Sequence, residues 1–487
     1  MLLSVGTVTA MVRRTKIVAT IGPASDNEPT LRRMVQAGMD VARIGLAHGS
    51  IDENVEKFRR VRAVSADLGR HVGILVDLPG PKVRCAGFPE GGVELVEDEY
   101  ISLRPGESKS DANVVEVDYE SLLLDVQVGD RLAFGDGNVV IMVEDKQPDE
   151  LKARIVHGGL LQGSPGMHIP SDRLSVTSPT PQDLKLADIF VELGTDMVAL
   201  SFVRSAHDLR RLGMEPAPRG PLLVAKIETR AAVDNLEGII AASGAVMVAR
   251  GDLGTECDIE ELPHLQKHII EECIALGRPA ITATQMLESM ITAPIPTRAE
   301  ASDIANAVFD GTSAVMLSGE TAIGRDPVNA VATMARIAEK ADERFDYSTW
   351  SRNITSIRRR SGTDPEGQRT TDALTTAAGR VATELGAAAV LCLSASGFTV
   401  RSVARFRPQM PILGMTYSER TAAQLALSWG TRPLIFHERG TPAETVSEAI
   451  ETARGVGAVR SGDLVVVVSG QSGVGHATDT LRAIRVP

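Results

Sequence analysis

Several charged side chains follow short apolar segments, where folding could gather them for chemistry. Lys226 lies near the end of the segment 222–227, Glu228 follows that segment directly, and Asp252 follows the segment 245–249. Two carboxylates without His or Cys suit a hard divalent ion such as Mg²⁺ or Mn²⁺, but each could instead pair with a neighbouring Lys or Arg. Lys226 and Glu228 are two residues apart and point to the same side of a strand, so the ammonium could hold a phosphate or serve as a salt-bridge partner.

Other apolar segments end in a similar way. Arg43 ends one segment, Lys82 and Arg84 follow another, and hydroxyl-bearing residues close two more, at Ser201-Phe202 and at Thr284. Four basic residues (Arg43, Lys82, Arg84 and Lys226) and three acids (Asp77, Glu228 and Asp252) would meet if these segment ends lie together. That combination predicts an anion site with a divalent metal.

The segments that must position these residues are eight short, β-branched runs, each followed by a helical pattern. Continuous rather than alternating apolar runs are typical of parallel strands buried on both faces, and eight of them predict an α/β protein with a (β/α)₈ TIM barrel. Active sites of such barrels lie at the carboxyl ends of the strands. The predicted strands are 16–21, 40–44, 72–77, 197–202, 222–227, 245–249, 279–283 and 313–317.

Two regions interrupt or follow this pattern. Short strand-like runs at 114–117, 139–143 and 152–156 predict an inserted β-barrel lid domain over 82–176, which divides the barrel into 11–81 and 177–345. A polar, Arg-rich passage over 346–370 predicts a linker. From 371 to 487, strands at 388–393, 411–415, 433–436 and 463–468 alternate with helical patterns and predict a separate, doubly wound α/β domain.

Composition limits the classes of partner. The 487 residues carry 51 Lys plus Arg and 63 Asp plus Glu, a net charge of −12, with only 3% aromatic residues. This balance disfavours nucleic acids and anionic membranes, so placed cations must hold any anionic ligand. Four well-separated cysteines and a poor secretory signal predict a cytoplasmic protein, which starts at Met1 or Met11.

The motifs together resemble the pyruvate kinase family over nearly the whole chain. The matching strings keep the order of the family, and they are TKIVATIGPAS (15–25), VAR followed by HG (41–49), DLPGPKVR (77–84), SFVR (201–204), AKIE (225–228), VMVARGDLG (246–254), ATQMLESM (283–290), PTRAE (296–300) and SGETA (318–322). The resemblance implies Mg²⁺-dependent phosphoryl transfer from phosphoenolpyruvate to ADP, giving pyruvate and ATP in glycolysis. It also implies a homotetramer.

The resemblance assigns roles to individual residues. Glu228 and Asp252 would hold the divalent ion, and Lys226 and Arg43 would neutralise charge on the transferring phosphoryl group. Thr284 would lie on the face where the enolate carbon is protonated, through a water relay because its hydroxyl is a weak acid. The remaining implied positions are Arg84 at the phosphoryl group or lid, Gly251, Asp252, Ser201 and Phe202 at the substrate, and Pro23, His48 and Asp136 on the nucleotide and lid side.

This chain departs from the family pattern at the potassium site. Gly45, Ala47 and Leu78 stand where the resemblance implies Asn, Ser and Thr, and Lys82 stands in place of a Glu. The ammonium of Lys82 could supply the monovalent charge itself, so we expect an enzyme that does not require K⁺. The loss of those polar side chains is also compatible with an alternative. The protein would then be a catalytically weakened pyruvate kinase paralogue that binds phosphometabolites and acts as a regulator.

A loop of the C-terminal domain offers a candidate regulatory site. Ser394, Ser396 and Thr399 lie between a predicted strand and a predicted helix, where hydroxyl groups and helix N–H groups can cradle a phosphate. In the family this loop lies at an allosteric sugar-phosphate site. Ala395 and Phe398 stand where basic residues often occur, so an ordinary helix cap is the alternative.

Overall fold

The computed structural model describes residues 13–135, 137, 139–358, 366–437, 440–470 and 478–487. The candidate start residues Met1 and Met11 and the nucleotide-side candidate Asp136 lie outside the described residues. The chain opens with strands β1 (Lys16–Thr20), β2 (Val41–Gly45) and β3 (Gly73–Asp77), which alternate with helices α1 (Glu28–Ala37) and α2 (Ile51–Asp67).

A smaller β unit follows β3. Its strands are β4 (Val93–Leu95), β5 (Tyr100–Pro105), β6 (Val114–Val117), β7 (Arg131–Phe134), β8 (Val139–Lys146), β9 (Leu151–His157), β10 (Gly159–Leu161) and β11 (Met167–His168), with one short helix, α3 (Leu122–Asp125). Six of these strands form a sheet in the order β11-β7-β8-β9-β5-β6, and β4 pairs with β10. Bridges from Arg84 to Gly166 and from Cys85 to Val117 join the two edges of the sheet around an apolar core.

The remaining barrel elements come next. The strands are β12 (Met197–Leu200), β13 (Leu222–Ile227), β14 (Ala245–Ala249), β15 (Ala280–Ala283) and β16 (Ala314–Leu317). The helices are α4 (Pro181–Glu192), α5 (Ala206–Arg211), α6 (Arg230–Asp234), α7 (Leu236–Ala242), α8 (Arg250–Glu256), α9 (Leu262–Ala275), α10 (Arg298–Asp310), α11 (Gly319–Ala322) and α12 (Pro327–Arg344). Thr180 and Thr297 form capping boxes with Asp183 and Glu300 at the starts of α4 and α10.

The predicted eight-stranded barrel is confirmed. Parallel strands close in the order β1-β16-β15-β14-β13-β12-β3-β2. Seven of the eight are buried at every or nearly every position, as continuous apolar runs require, and β2 is half-exposed at Arg43 and Gly45. The carboxyl ends of all eight strands therefore lie at the same end of the barrel, which we call the mouth. The β unit is inserted after the carboxyl end of β3, and so it is connected to the barrel at the mouth.

The chain ends in a second α/β unit. Strands β17 (Ala389–Leu393), β18 (Ile412–Thr416), β19 (Thr431–Ile435), β20 (Leu464–Ser469) and β21 (Thr480–Arg485) form a sheet in the order β19-β18-β17-β20-β21, with only β21 antiparallel. Separate apolar clusters cover its two faces, as in a doubly wound fold. The helices are α13 (Tyr347–Arg358), α14 (Glu366–Glu384), α15 (Phe398–Ala404), α16 (Glu419–Leu425) and α17 (Pro442–Gly455), so segment 346–370 carries α13 and the start of α14.

Within the described part of the chain, no helix combines the length and the apolar character that a membrane crossing needs.

Candidate active site

Lys226 lies at the centre of a polar cluster in the barrel mouth. Its Nζ lies 2.7 Å from Glu228 Oε1 and 3.4 Å from Asp77 Oδ1, and it donates a hydrogen bond of 2.7 Å to Ser201 Oγ. Ser201 in turn donates to the carbonyl of Leu78 at 2.7 Å. The ammonium therefore links β13 to β3 through the residue that follows β12.

Arg43 reaches the same cluster from β2. Its guanidinium donates to Asp77 Oδ2 at 2.7 Å and to Thr20 Oγ1 at 2.9 Å. Asp77 is 3% exposed and serves both cations of the mouth. The sequence placed Asp77 among the acids of the mouth without giving it a role, and it did not assign Thr20 to the site, although Thr20 is the last residue of its strand, which was the available signal.

The other oxygen of Glu228 is also placed. Glu228 Oε2 accepts a hydrogen bond of 2.6 Å from the backbone N–H of Phe202. Phe202 adopts a positive φ of 53°, uncommon for a side chain of this size, which turns the chain after Ser201. The strained turn thus holds Glu228, which is 1% exposed, in a fixed orientation beside Lys226.

Charge balance in the cluster favours a further cation. Burial alone would lower the pKa of Lys226, but the charges of Asp77, Glu228 and Asp252 outweigh it and raise that pKa. Burial raises the pKa of Glu228, with Lys226 opposing and Asp252 reinforcing the shift. Three carboxylates face two cations, so the buried cluster carries a net negative charge.

Glu228 and Asp252 fit a divalent metal ion. Glu228 Oε1 is buried and contacts only the ammonium of Lys226, at 2.7 Å, so this carboxylate oxygen keeps a second lone pair to offer. The described residues contain no group of three or more His, Cys, Asp or Glu side chains arranged for a metal. Two carboxylates suffice for Mg²⁺, which commonly completes its shell with water and substrate oxygens.

Thr284 lies across the mouth, at the end of β15. Its Oγ1 accepts a hydrogen bond of 2.8 Å from the N–H of Gly251 and donates one of 2.6 Å to the carbonyl of Ala283. Its φ is +68°, a rare value for a β-branched residue. Local backbone strain of this kind occurs where the surrounding structure holds a side chain in a required place.

Arg250 is the residue that holds this turn, and its position directly after β14 was the only signal in the sequence. Its guanidinium donates to the carbonyls of Ala283 and Thr284, at 3.2 and 2.6 Å, and pairs with Asp303 at 2.7 Å. It is 9% exposed. Arg250 therefore holds the backbone of Thr284 in position, and its guanidinium is occupied by these contacts rather than directed at a ligand in the mouth.

The remaining candidates lie toward the β unit. Lys82 is exposed, and its side-chain ammonium makes no hydrogen bond or ion pair with another described residue. Arg84 donates a long hydrogen bond of 3.4 Å to the carbonyl of Ser164. Partial burial, followed by the charges of four nearby cations, lowers the pKa of the largely exposed His48. These cations are Arg84, Lys82, Arg43 and Lys57. Pro23 is exposed after β1.

The predicted effector residues lie outside the mouth, in the C-terminal unit. Ser394 follows β17, and Ser396 Oγ accepts a long hydrogen bond of 3.4 Å from Phe398 N. Thr399 Oγ1 lies 2.8 Å from Thr478 Oγ1 and is buried. The structure therefore brings together the metal and phosphoryl candidates and leaves this loop apart from them.

Comparison with known proteins gives the same assignment for both large units. The model for the pyruvate kinase barrel domain matches residues 12–331, and the model for the pyruvate kinase alpha/beta domain matches residues 372–484. Relatives named pyruvate kinase include proteins of Bacillus licheniformis (36% identical, covering 97% of this chain and 80% of the relative), Geobacillus stearothermophilus (39%, 94% and 78%) and Agrobacterium vitis (39%, 94% and 95%). With its barrel, its lid-like insertion and its C-terminal unit all within these matches, the chain belongs to the pyruvate kinase family.

Proposed function

We propose that this chain transfers the phosphoryl group of phosphoenolpyruvate to ADP, with a divalent cation held by Glu228 and Asp252. The observation that carries the proposal is the position of the Lys226 ammonium. It lies between Asp77 and Glu228, and a second cation, Arg43, pairs with the same Asp77. Two polyanionic substrates must meet in this reaction, and fixed cations lower the cost of bringing their charges together.

The residues of the mouth divide the work. Lys226 and Arg43 neutralise the transferring phosphoryl group, with Arg84 contributing from the lid side, and their shared partner Asp77 keeps both side chains oriented. Pyruvate kinases generally use Mg²⁺, and an ion held by Glu228 and Asp252 would supply positive charge to the reacting groups. Pro23, His48 and Asp136 remain candidates for the nucleotide side.

Substrate binding and proton transfer are coupled through one hydrogen bond. The N–H of Gly251 now donates to Thr284 Oγ1. If the substrate carboxylate takes the backbone N–H groups of Gly251 and Asp252, with Ser201 and Phe202 lining the same pocket, the Thr284 hydroxyl loses this donor and becomes available to a water. That water then delivers a proton to the enolate carbon.

We also propose that turnover does not require K⁺. Lys82 has no acidic partner among the described residues, and Gly45, Ala47 and Leu78 place no oxygen-bearing side chain where a potassium ion would need one. Steady-state turnover with KCl and with NaCl at equal ionic strength tests this point. A strong requirement for KCl would overturn it.

A regulator without useful turnover is the competing function, because Gly45 and Ala47 remove polar side chains close to the cations. Pyruvate formation compared with a Lys226→Met variant distinguishes the two functions.

Assembly as a homotetramer and regulation through Ser394, Ser396 and Thr399 are further parts of the proposal. Light scattering that gives the mass of one chain would reject the tetramer, and turnover unaffected by sugar phosphates would reject the regulation.

A further inference from the structure

Four arginines meet between the barrel and the C-terminal unit, at the end of the barrel opposite the active site. Arg278 precedes β15, Arg401 belongs to α15, and Arg405 and Arg407 follow that helix. The last three are 7%, 7% and 2% exposed. Such a concentration of buried positive charge needs compensation, since a buried ion without a partner is costly.

Two of these arginines have clear partners. Arg405 forms an ion pair with Asp372 and donates to the carbonyl of Ala275. Arg407 donates to the carbonyls of Val308 and Thr312, at 3.3 and 2.6 Å. Asp372 therefore neutralises Arg405, while Arg407 receives backbone dipoles from these contacts and the more distant negative charge of Asp342.

The other two arginines lack partners at buried atoms. Arg401 donates to the carbonyl of Ser396 through Nη2, but its Nε and Nη1 are buried without a hydrogen bond to the described residues. Arg278 Nε is also buried and makes no hydrogen bond to the described residues. Burial first, and then the charge of Arg278, lowers the pKa of Arg401 to about 9. The two guanidinium groups thus repel each other, and neither forms an ion pair with an acid in the part of the chain that the structure describes.

Two neutral donors share this environment. The side chains of Ser428 and Trp429 are 1% and 2% exposed, and neither Ser428 Oγ nor Trp429 Nε1 has a hydrogen-bond partner among the described residues. Both line the same cavity as Arg278 and Arg401. Buried polar atoms are nearly always paired, so unpaired atoms that converge on one cavity, with N–H donors predominating, indicate a missing acceptor.

We propose that this cavity binds one small inorganic anion that joins the barrel to the C-terminal unit. Its free volume of about 20 Å³ admits about one water-sized particle, a space that suits chloride. A water molecule could accept some of these hydrogen bonds but would leave the charge of Arg401 uncompensated. An anion accepts hydrogen bonds from the guanidinium, indole and hydroxyl groups and neutralises charge at the same time.

The test measures thermal unfolding of the full-length protein as sodium chloride replaces sodium gluconate at constant ionic strength. We expect the unfolding temperature to rise with chloride and to saturate. Trp429→Phe keeps an aromatic ring but removes one donor, so it should raise the apparent dissociation constant for chloride by about tenfold. Arg401→Met should abolish the dependence. Arg380→Met, which removes an exposed arginine of the same unit, should behave like the wild type.

A second series with inorganic phosphate shows whether the site prefers a halide or an oxyanion. The proposal is supported if either anion stabilises the protein saturably and if the Arg401→Met substitution removes that stabilisation. Because Arg401→Met could fail to fold, wild-type crystals soaked in bromide provide an independent measurement. Anomalous density beside Arg401 Nη1 and Trp429 Nε1 is the expected result. The proposal would be overturned by an empty cavity in those crystals. It would also be overturned if chloride and phosphate stabilised the Arg401→Met and Trp429→Phe variants as much as the wild type.

Discussion

At the scale of single residues, the mouth is organised by carboxylates that hold cations in place. Asp77 is the clearest example, because it pairs with Arg43 from a neighbouring strand and with Lys226 from two strands away. The sequence indicates that polar residues end the strands, and it predicts Lys226 and Glu228 on one side of β13. It does not indicate which side chains meet, since that depends on the order of strands around the barrel.

Removal of the Thr284 hydroxyl should slow proton transfer. Thr284→Val keeps the β-branched shape at this strained position but cannot pass a proton, so we expect kcat for pyruvate formation to fall by about 10²- to 10⁴-fold. Thr284→Ser keeps the hydroxyl and should retain most of the activity. A Val variant with wild-type kcat would exclude Thr284 from the proton path.

Reversal of charge at Lys82 should remove activity that potassium cannot restore. Lys82→Glu places a carboxylate among the cations around His48, but no oxygen-bearing side chain at Gly45, Ala47 or Leu78 would complete a potassium site. We expect turnover to fall by about tenfold or more and to stay low in KCl. Lys109→Glu, at an exposed position of the lid, is the matched control. Recovery of Lys82→Glu in KCl would contradict the proposal.

At the scale of elements, most strands follow from the sequence because buried parallel strands form continuous apolar runs. Helix α13 is harder to predict, because Tyr347, Trp350 and Ile354 have helical spacing but lie within a polar, Arg-rich passage. Trp350 packs against Gly311, where a Cβ atom would lie 2.2 Å from its ring. Strand β21 was not predicted, since its sequence TLRAIR shows little alternation and an edge strand buries little surface.

Glu256, at the end of α8, links the lid to the barrel. It accepts hydrogen bonds from Ser171 N and Oγ, at 2.9 and 2.8 Å, and lies 3.2 Å from His168 Nε2. Burial tends to raise the pKa of Glu256, but the contacts with His168 and Ser171 prevail and lower it. A lowered carboxyl pKa contributes stability that is complete above about pH 4.5, the unfolded value, and is lost as the pH falls through the folded value.

The Glu256→Gln variant should therefore loosen the lid at neutral pH. We expect faster proteolytic cleavage within residues 82–176 and a loss of roughly 1–3 kcal/mol from the lid contact, because the charge that accepts these hydrogen bonds is gone. The difference between variant and wild type should shrink as the pH falls below about 4.5. Glu261→Gln, an acid on the same side that does not bind the lid, is the control. Equal cleavage of Glu256→Gln and wild type at pH 7 would contradict this account.

At the scale of the whole molecule, the net acidity of the chain and the fixed cations of the mouth are separate features. The net charge of −12 belongs to the chain as a whole, while Arg43 and Lys226 are buried or half-buried at one end of the barrel. The scarce aromatic residues are also localised. Phe345, Tyr347, Trp350 and Trp429 pack together where the barrel meets the C-terminal unit, and Arg407 lies 4.6 to 5.0 Å from three of these rings.

This concentration explains why low aromatic content does not prevent ligand recognition. The aromatic side chains join two units, and ionic and backbone groups remain to bind substrates in the mouth. Composition alone predicts that aromatic stacking is scarce, but the location of the few aromatic residues follows only from the folded structure, in which Trp350 Nε1 donates to the carbonyl of Arg405 and the rings of Tyr347 and Trp429 lie 6.1 Å apart.

The most direct test of the central claim measures pyruvate formation from phosphoenolpyruvate, ADP and Mg²⁺ by wild type and by Lys226→Met. The methionine variant keeps a long side chain but removes the ammonium from between Asp77 and Glu228. Circular dichroism spectra of both proteins check that the variant is folded. We predict that wild-type kcat exceeds that of the variant by about 10³-fold or more, in NaCl as well as in KCl. Equal turnover by the two folded proteins in both salts would contradict the assignment and favour the regulator.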